Sequence, residues 1–170
     1  MSYIIDSDVL ITAKNRYYAF DLCPGFWDSL LALYHSGWVR SLDRVRQELL
    51  QGSDDDAIVK WIHDSVPGGF FESCDNAAVA SAYTDVMLWV QRNYQFIDNA
   101  KAKFATGADG WLVAYSMIHD CTVVTLEESR PESRNQIKLP DVCMQFNVPY
   151  VDVFSMLRSL RVQYHFTEKG

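Results

Sequence analysis

Two short apolar runs stand out along the chain, and an acidic residue closes each of them. Residues 3–6 lead from Tyr3 through two isoleucines to Asp6. Residues 121–125 are rich in β-branched side chains, and Glu127 follows them closely. Runs of this length and composition are typical of buried strands. The pattern therefore predicts one interior strand that opens the chain and a second that ends near residue 125.

Between and beyond these strands, apolar residues recur at the spacing of a helix. Leu42, Val45 and Leu49 form one such stripe, for which Ser41 is the predicted N-cap and Gly52 the predicted stop. Further helices are predicted over residues 8–14, 56–65, 76–93 and 95–104, from residue 26 after a turn at residues 24–25, and from residue 109. Residues 128–138 are predicted to form a polar surface loop, and residues 142–148 and 151–160 to add strand fragments and a final helix.

The order of strand, several helices, strand and helix is typical of α/β proteins. We therefore expect a three-layer α/β/α sandwich with a mainly parallel central sheet. A length of 170 residues suits one compact domain, and the sequence contains no internal repeat or linker. The prediction is a single domain over residues 1–170.

The composition narrows the class of protein. Hydrophobic residues make up 49% of the chain, which argues against extensive disorder, and the net charge of −7 excludes a strongly basic nucleic-acid coat protein. No apolar run approaches about 18 residues, and no positively charged segment precedes the first strand, so we expect a cytoplasmic protein that does not enter a membrane. The four scattered cysteines lack a CxxC pair and are interpreted as buried free thiols.

Four acidic residues from separate segments are expected to meet at one end of the sheet. Asp6 and Glu127 follow predicted strands, Asp109 begins a helix, and Glu48 borders the buried face of another helix. Ligands of parallel sheets collect at the carboxyl ends of the strands. Because converging carboxylates repel one another, and because their hard oxygens suit Mg²⁺ or Mn²⁺, the cluster predicts a site for one of these ions. Such an ion can activate water for attack on phosphorus, and a second ion about 4 Å away can stabilise the leaving oxygen.

Each acid taken alone also has an ordinary structural interpretation. Asp6 fits a helix N-cap or a turn, Glu48 a solvated helix position, Asp109 a first-turn acid favoured by the helix dipole, and Glu127 a polar strand end. The three consecutive acids at residues 54–56 are interpreted as a solvated helix start. The metal-site hypothesis therefore depends on the four acids together.

Four motifs, in this order, resemble those of PIN-domain nucleases of the VapC-like type. They are YIIDSDVL at residues 3–10, VRQEL at residues 45–49, ADGWLVAY at residues 108–115 and VVTLE at residues 123–127. Two more segments look like a PIN-like subgroup that is grouped as a domain of unknown function, DUF4411. They are AKNRYYAFDLCPGFW at residues 13–27 and IKLPDVC at residues 137–143, so the resemblance extends over nearly the whole chain.

The resemblance implies an α/β/α sandwich, endoribonuclease activity that depends on Mg²⁺ or Mn²⁺, and service as the toxin of a bacterial type II toxin–antitoxin pair. The expected partners are then RNA and a cognate antitoxin protein. Carried over by motif, Asp6, Glu48, Asp109 and Glu127 would be the catalytic and metal-binding acids. The same resemblance leaves two other functions open, namely a non-catalytic module that binds RNA or protein, and a nuclease that acts on DNA.

The sequence departs from the family pattern at two of its acids. Asp8 stands where many members have Asn, and would either add a fifth metal-binding acid or orient the site. Glu127 stands where Asp is usual, and would reach the metal directly or through water. The hydroxyls of Ser7 and Thr125 could orient these acids, or could simply be satisfied within a turn and a strand.

Several surface features suggest partners, each with an alternative. Lys14 and Arg16 could contact an RNA backbone beside two tyrosines, Tyr17 and Tyr18, that could stack on bases; a packed aromatic corner is the alternative. Arg130, with two neighbouring cations at residues 134 and 138, could steer phosphates or belong to an ordinary surface loop. The apolar pairs at residues 70–71 and 89–90 could form a homodimer or antitoxin contact, although burial in the core is their default.

Overall fold

A computed structural model, which describes residues 1–168, has a central sheet of five parallel strands in the order β3-β2-β1-β4-β5. The strands are β1 (Ser2–Ile5), β2 (Val39–Leu42), β3 (Phe71–Glu72), β4 (Cys121–Val124) and β5 (Tyr150–Val151). Helices flank the sheet as outer layers. The predicted α/β/α sandwich with a parallel sheet is confirmed.

A helix is present in each segment predicted to be helical, and α8 is an additional one. The α-helices within residues 1–168 are α1 (Ser7–Thr12), α2 (Pro24–His35), α3 (Asp43–Leu49), α4 (Ala57–Asp64), α5 (Ala77–Arg92), α6 (Asp98–Thr106), α7 (Asp109–His119), α8 (Leu139–Gln145) and α9 (Val153–Ser159). A π-helical turn over Ala13–Tyr17 continues α1. Asp56 and Asn76 accept backbone N–H groups at the starts of α4 and α5, so both helices begin at side-chain caps.

The strand order places a topological switch point between β1 and β4. The chain builds β2 and β3 outward on one side of β1, and then returns to place β4 and β5 on the other side. Ile5 pairs with Val124 at the carboxyl ends of β1 and β4. Residues that follow these two strands therefore emerge side by side, which is where parallel α/β sheets bind ligands.

The two central strands are buried on both faces. Ile4, Ile5, Val123 and Val124 have no exposed surface, which explains why the sequence shows continuous apolar runs there instead of an alternating pattern. Strands β2, β3 and β5 are only two to four residues long. Strands this short carry little periodic signal, and the sequence pattern predicted no strand at β2 or β3.

The predicted helix cap at Ser41 is wrong. Ser41 is fully buried within β2, and its hydroxyl donates to the Ile5 carbonyl at 2.6 Å. Helix α3 begins only at Asp43, after Leu42, which belongs to the strand. From sequence alone, a buried serine whose hydroxyl donates to a carbonyl of the neighbouring strand cannot be distinguished from a helix N-cap.

Two other local predictions are also wrong. Pro24 does not form a turn before the helix, because it occupies the first turn of α2, where a missing N–H costs nothing. The strand fragment predicted at residues 142–148 is also wrong, because residues 142–145 belong to α8. The buried side chains of Leu139, Val142 and Cys143 lie on one side of that helix. The apolar composition that suggested a strand is therefore explained by the buried face of a helix.

The four cysteines are free thiols. Cys74, Cys121 and Cys143 are buried and free, as predicted, and Cys23 is free and half-buried. No helix within the described range is both long and apolar enough to cross a membrane.

Candidate active site

Asp6 and Thr125 lie at the switch point, directly after β1 and β4. The Asp6 N–H donates to the Val124 carbonyl at 3.0 Å and continues the pairing of the two strands by one step. The Asp6 side chain is 3% exposed and caps α1 by accepting the Ser7 N–H at 2.6 Å. Asp6 is therefore a helix cap, as its ordinary interpretation predicted, but it is also a buried carboxylate at the ligand-binding edge.

Thr125 connects three of the acidic positions. Its buried hydroxyl lies 3.3 Å from Asp6 Oδ2 and 3.1 Å from Asp8 Oδ2, and it accepts the Glu127 N–H at 3.1 Å. A single hydroxyl proton serves both aspartates. The prediction that Thr125 orients the acids is consistent with these contacts.

The two carboxylate oxygens of Asp8 differ, because one is hydrogen-bonded and the other is not. Its Oδ2 accepts the Leu126 N–H at 3.0 Å in addition to the Thr125 contact. Its Oδ1 is buried and has no hydrogen-bond partner among residues 1–168. A buried carboxylate oxygen without a partner is costly, and a ligand that supplies positive charge or a donor would remove that cost.

Glu48 joins the starts of two helices. Its Oε2 accepts the Ser7 hydroxyl at 2.6 Å, and its Oε1 accepts the Ala108 N–H at 2.8 Å. Ala108 immediately precedes Asp109, the first residue of α7. The Ser7 hydroxyl thus contacts Glu48, which is consistent with the prediction that it orients one of the acids.

Asp109 and Glu127 complete the cluster of acids. Asp109 is half-buried in the first turn of α7. Glu127 is also half-buried, and its Oε2 accepts the Leu139 N–H at 3.0 Å while Lys138 Nζ lies 4.0 Å away. The longer glutamate side chain thus reaches across to the start of α8.

The five acids influence one another electrostatically. Burial, followed by the charges of Asp109 and Asp8, raises the pKa of Asp6 well above its usual range. Burial also raises the pKa of Asp8, against the lowering effect of its hydrogen bonds. Burial, then the charges of Glu127 and Glu48, raises the pKa of Asp109 to about 8, and Lys138 opposes that shift. The site therefore holds negative charge at a cost, a common property of functional sites.

The side chains of the cluster supply carboxylate oxygens, the donors that a hard divalent cation prefers. Within residues 1–168, no three acidic, histidine or cysteine side chains are placed, as they stand, to hold a metal ion. Hydrogen bonds within the protein occupy the oxygens of Glu48 and one oxygen of Glu127. The unpartnered Asp8 oxygen and the raised pKa of three neighbouring aspartates nevertheless match what Mg²⁺ or Mn²⁺ would satisfy.

A cleft of about 230 Å³ opens beside these acids. Glu48, Asp109 and Glu127 contribute to its lining. Two lysines and two amides also line it: Lys103, Lys138, Asn135 and Gln136. The sequence pointed only to Lys138, as one of three cations near Glu127 that could steer phosphates, and it gave no signal for the other three.

The three cations predicted to bind substrate lie outside the lining of this cleft. Lys14 Nζ forms an ion pair with Asp56 Oδ2 at 2.7 Å. Arg16 is exposed on the π-helical turn, and Arg130 is exposed on the loop, where Asp141 accepts its backbone N–H. Their roles toward RNA stay predictions.

Most of the aromatic and apolar surface candidates are packed inside the protein. Tyr18 stacks on Phe26 with ring centroids 4.4 Å apart, while Tyr17 remains more than half exposed and meets Phe154 edge-on. The alternative of an aromatic corner therefore describes Tyr18. Phe70, Phe71 and Val90 are buried and Trp89 is half-buried, so core burial accounts for most of both apolar pairs.

Replacing Thr125 with valine should destabilise the protein by about 1–3 kcal/mol, because valine keeps the shape but leaves the buried Asp6 oxygen and the Glu127 N–H without their shared partner. Urea unfolding measures this loss. Thr125→Ser, which keeps the hydroxyl, should retain most of the stability. Equal stability of the valine and serine variants would show that the hydroxyl does not hold the cluster together.

The chain belongs to the protein family described as "Domain of unknown function (DUF4411)", whose model matches residues 3–164. No curated protein matches the sequence.

Proposed function

We propose that this DUF4411 protein is a PIN-like endoribonuclease that depends on Mg²⁺ or Mn²⁺ and acts in the cytoplasm as the toxin of a bacterial type II toxin–antitoxin pair. The observation that carries the proposal is the convergence of Asp6, Asp8, Glu48, Asp109 and Glu127 at the switch point of the sheet. Burial and mutual repulsion make this arrangement costly without a counterion. A purely structural cluster would gain nothing from that cost.

Each acid has a defined part in the proposed site. Asp6 and Asp109 are the central metal-binding acids, Asp8 offers its unpartnered Oδ1, and Glu48 and Glu127 approach from the two sides. A bound Mg²⁺ or Mn²⁺ would supply a Lewis acid that polarises the phosphodiester and lowers the pKa of an attacking water. Thr125 would hold Asp6 and Asp8 in place through its hydroxyl.

Support for RNA and for the toxin role comes from the motif resemblance to PIN-domain nucleases. An antitoxin in such a pair would bind the toxin and stop cleavage. The gene next to this one is the simplest place to look for it, since a small DNA-binding partner there would favour the toxin role.

The experiment is cleavage of single-stranded RNA by the purified protein with Mn²⁺ or Mg²⁺, with and without a chelator, and with a DNA strand of the same sequence. We expect cleavage of RNA that stops with chelator, and a loss of at least about 100-fold in Asp6→Asn. Asp54→Asn, at an exposed acid outside the cluster, is the matched control and should cleave normally. Equal cleavage by Asp6→Asn and the control would overturn the assignment, and preference for the DNA strand would change the substrate.

A second candidate is a PIN-like module that binds RNA or protein without cutting. The hydrogen bonds that already occupy both oxygens of Glu48 favour it, because that side chain needs no ion to be satisfied. This function predicts intact RNA and no uptake of divalent metal in a calorimetric titration, together with a partner that copurifies.

A further inference from the structure

The cleft beside the acids carries charges of both signs. Lys103 and Lys138 line it together with Glu48, Asp109 and Glu127. A phosphodiester approaching carboxylates meets repulsion that a metal ion only partly offsets. A fixed cation at the same cleft would offset more of it and would hold the backbone in place.

Lys138 is held inward but is not fully paired. Its side chain is only 21% exposed, and its Nζ lies 4.0 Å from Glu127 Oε2. This separation is too long for a hydrogen bond, although the two charges still attract. Glu127 Oε2 already accepts the Leu139 N–H. The ammonium group of Lys138 therefore keeps donors free for another acceptor.

Contacts with distant parts of the chain fix the loop that carries Lys138. Gln95 Nε2 donates to the carbonyls of Pro131 and Ser133 at 2.6 and 2.7 Å. The Ile97 N–H donates to the Arg134 carbonyl at 3.1 Å. Ile137, next to Lys138, is 8% exposed. These contacts hold the loop against the segment before α6 and keep Lys138 at the cleft.

The other cations suggested by sequence do not share this position. Lys14 is paired with Asp56, and Arg130 is exposed outside the cleft lining. The charge of Lys138 also acts on Asp109, the acid at the start of α7. Lys138 thus lines the same cleft as Glu48, Asp109 and Glu127.

We propose that Lys138 binds the backbone phosphate of a single-stranded nucleic acid in this cleft, next to Glu127 and Asp109. This inference rests on the proposed nuclease function for its biological meaning, but the binding itself can be measured without cleavage. Lys138 would then be the residue that positions the phosphodiester against the acidic cluster, in place of Arg130.

The test is fluorescence anisotropy of a labelled single-stranded oligoribonucleotide with Lys138→Gln, Lys138→Arg and Arg130→Gln, in Ca²⁺ and over a series of salt concentrations. We expect Lys138→Gln to weaken binding about tenfold and to reduce the slope of log K against log salt by about 0.7, the effect of one phosphate contact on a single strand. Lys138→Arg should retain most of the affinity and the slope. Lys60→Gln, at an exposed lysine outside the cleft lining, is the control and should change neither. Arg130→Gln tests the competing cation of the same loop and should weaken binding less than Lys138→Gln does. A merely structural role for Lys138 would not change the salt slope.

The outcomes separate the two proposals. Equal affinity and equal salt slope for Lys138→Gln and Lys60→Gln would overturn the assignment of Lys138, and so would a larger loss in Arg130→Gln or a wild-type protein that does not bind the strand. If the wild type binds through Lys138 but leaves the strand intact in Mn²⁺, the nuclease proposal fails while the assignment of Lys138 stands.

Discussion

Replacing Asp109 with asparagine should make the metal-free protein more stable at pH 8 while it removes RNA cleavage. Burial and the charges of Glu127 and Glu48 raise the pKa of Asp109 to about 8. The folded protein must therefore either carry an unfavourable charge or retain a proton that the unfolded chain would release. Asparagine has nearly the same shape and removes that cost.

The sign of the pH dependence follows from the raised pKa. In the unfolded chain Asp109 titrates near the ordinary carboxyl value of about 4, so between about pH 4 and pH 8 the folded state binds more protons than the unfolded state. The free energy of unfolding of the wild type should therefore fall as the pH rises through that window. Asp6 and Asp8 contribute with the same sign, because burial raises the pKa of each.

Urea unfolding in a chelating buffer at pH 5 and pH 8 measures the effect. We expect Asp109→Asn to gain on the order of 2 kcal/mol over the wild type at pH 8, and much less at pH 5. Asp56→Asn is the control of opposite sign. The ion pair with Lys14 lowers the pKa of Asp56, so its substitution should weaken the protein at pH 8 and matter less as the pH falls below about 4. A loss of stability in Asp109→Asn at pH 8 would contradict the electrostatic account of the site.

How much of this site the sequence could predict depends on the distance over which each contact acts. Asp6 and Glu127 follow strands that local composition reveals, and Asp109 begins a helix that its own residues specify. The positions of these three acids could therefore be predicted from the sequence. The Ser7 contact of Glu48 spans 41 residues, and the Ala108 contact spans 60. No local pattern encodes these partners, and the sequence pointed to Glu48 only through its place beside the buried stripe of its helix and through the motif resemblance.

The positions of the cations near the site could not be predicted from local sequence. Sequence alone could not choose among the charged residues of the loop after Glu127, because the path of the loop is fixed by Gln95, which lies 36 residues before Pro131. That contact places Lys138 at the cleft and leaves Arg130 exposed. Ser41 misled for a related reason, since its partner is the carbonyl of a neighbouring strand. Side chains whose partners lie on another element take their role from the fold.

Adding Mn²⁺ should reverse the pH dependence of stability in the wild type. An ion bound by the acids stabilises only the folded state, by about 2.7 kcal/mol when its concentration is one hundred times its Kd. The ligands must be deprotonated to bind it, so this stabilisation should grow as the pH rises from 6 to 8. The metal-free protein should lose stability over the same interval. The free energy of unfolding should therefore rise with pH in Mn²⁺ and fall with pH in its absence.

The variants locate the ion. Asp6→Asn and Asp109→Asn should lose most of the gain from Mn²⁺. Asp8→Asn should lose part of it, because Asp8 Oδ1 is a buried carboxylate oxygen without a hydrogen-bond partner within residues 1–168. Glu127→Gln tests the longer side chain separately: a full gain would assign Glu127 to holding Leu139 and α8, and a reduced gain would place it on the ion. Asp54→Asn at matched ionic strength should respond as the wild type does. If Mn²⁺ leaves the wild-type unfolding curve unchanged at pH 8, the five acids do not form a metal site, and the non-catalytic module becomes the better account of the protein.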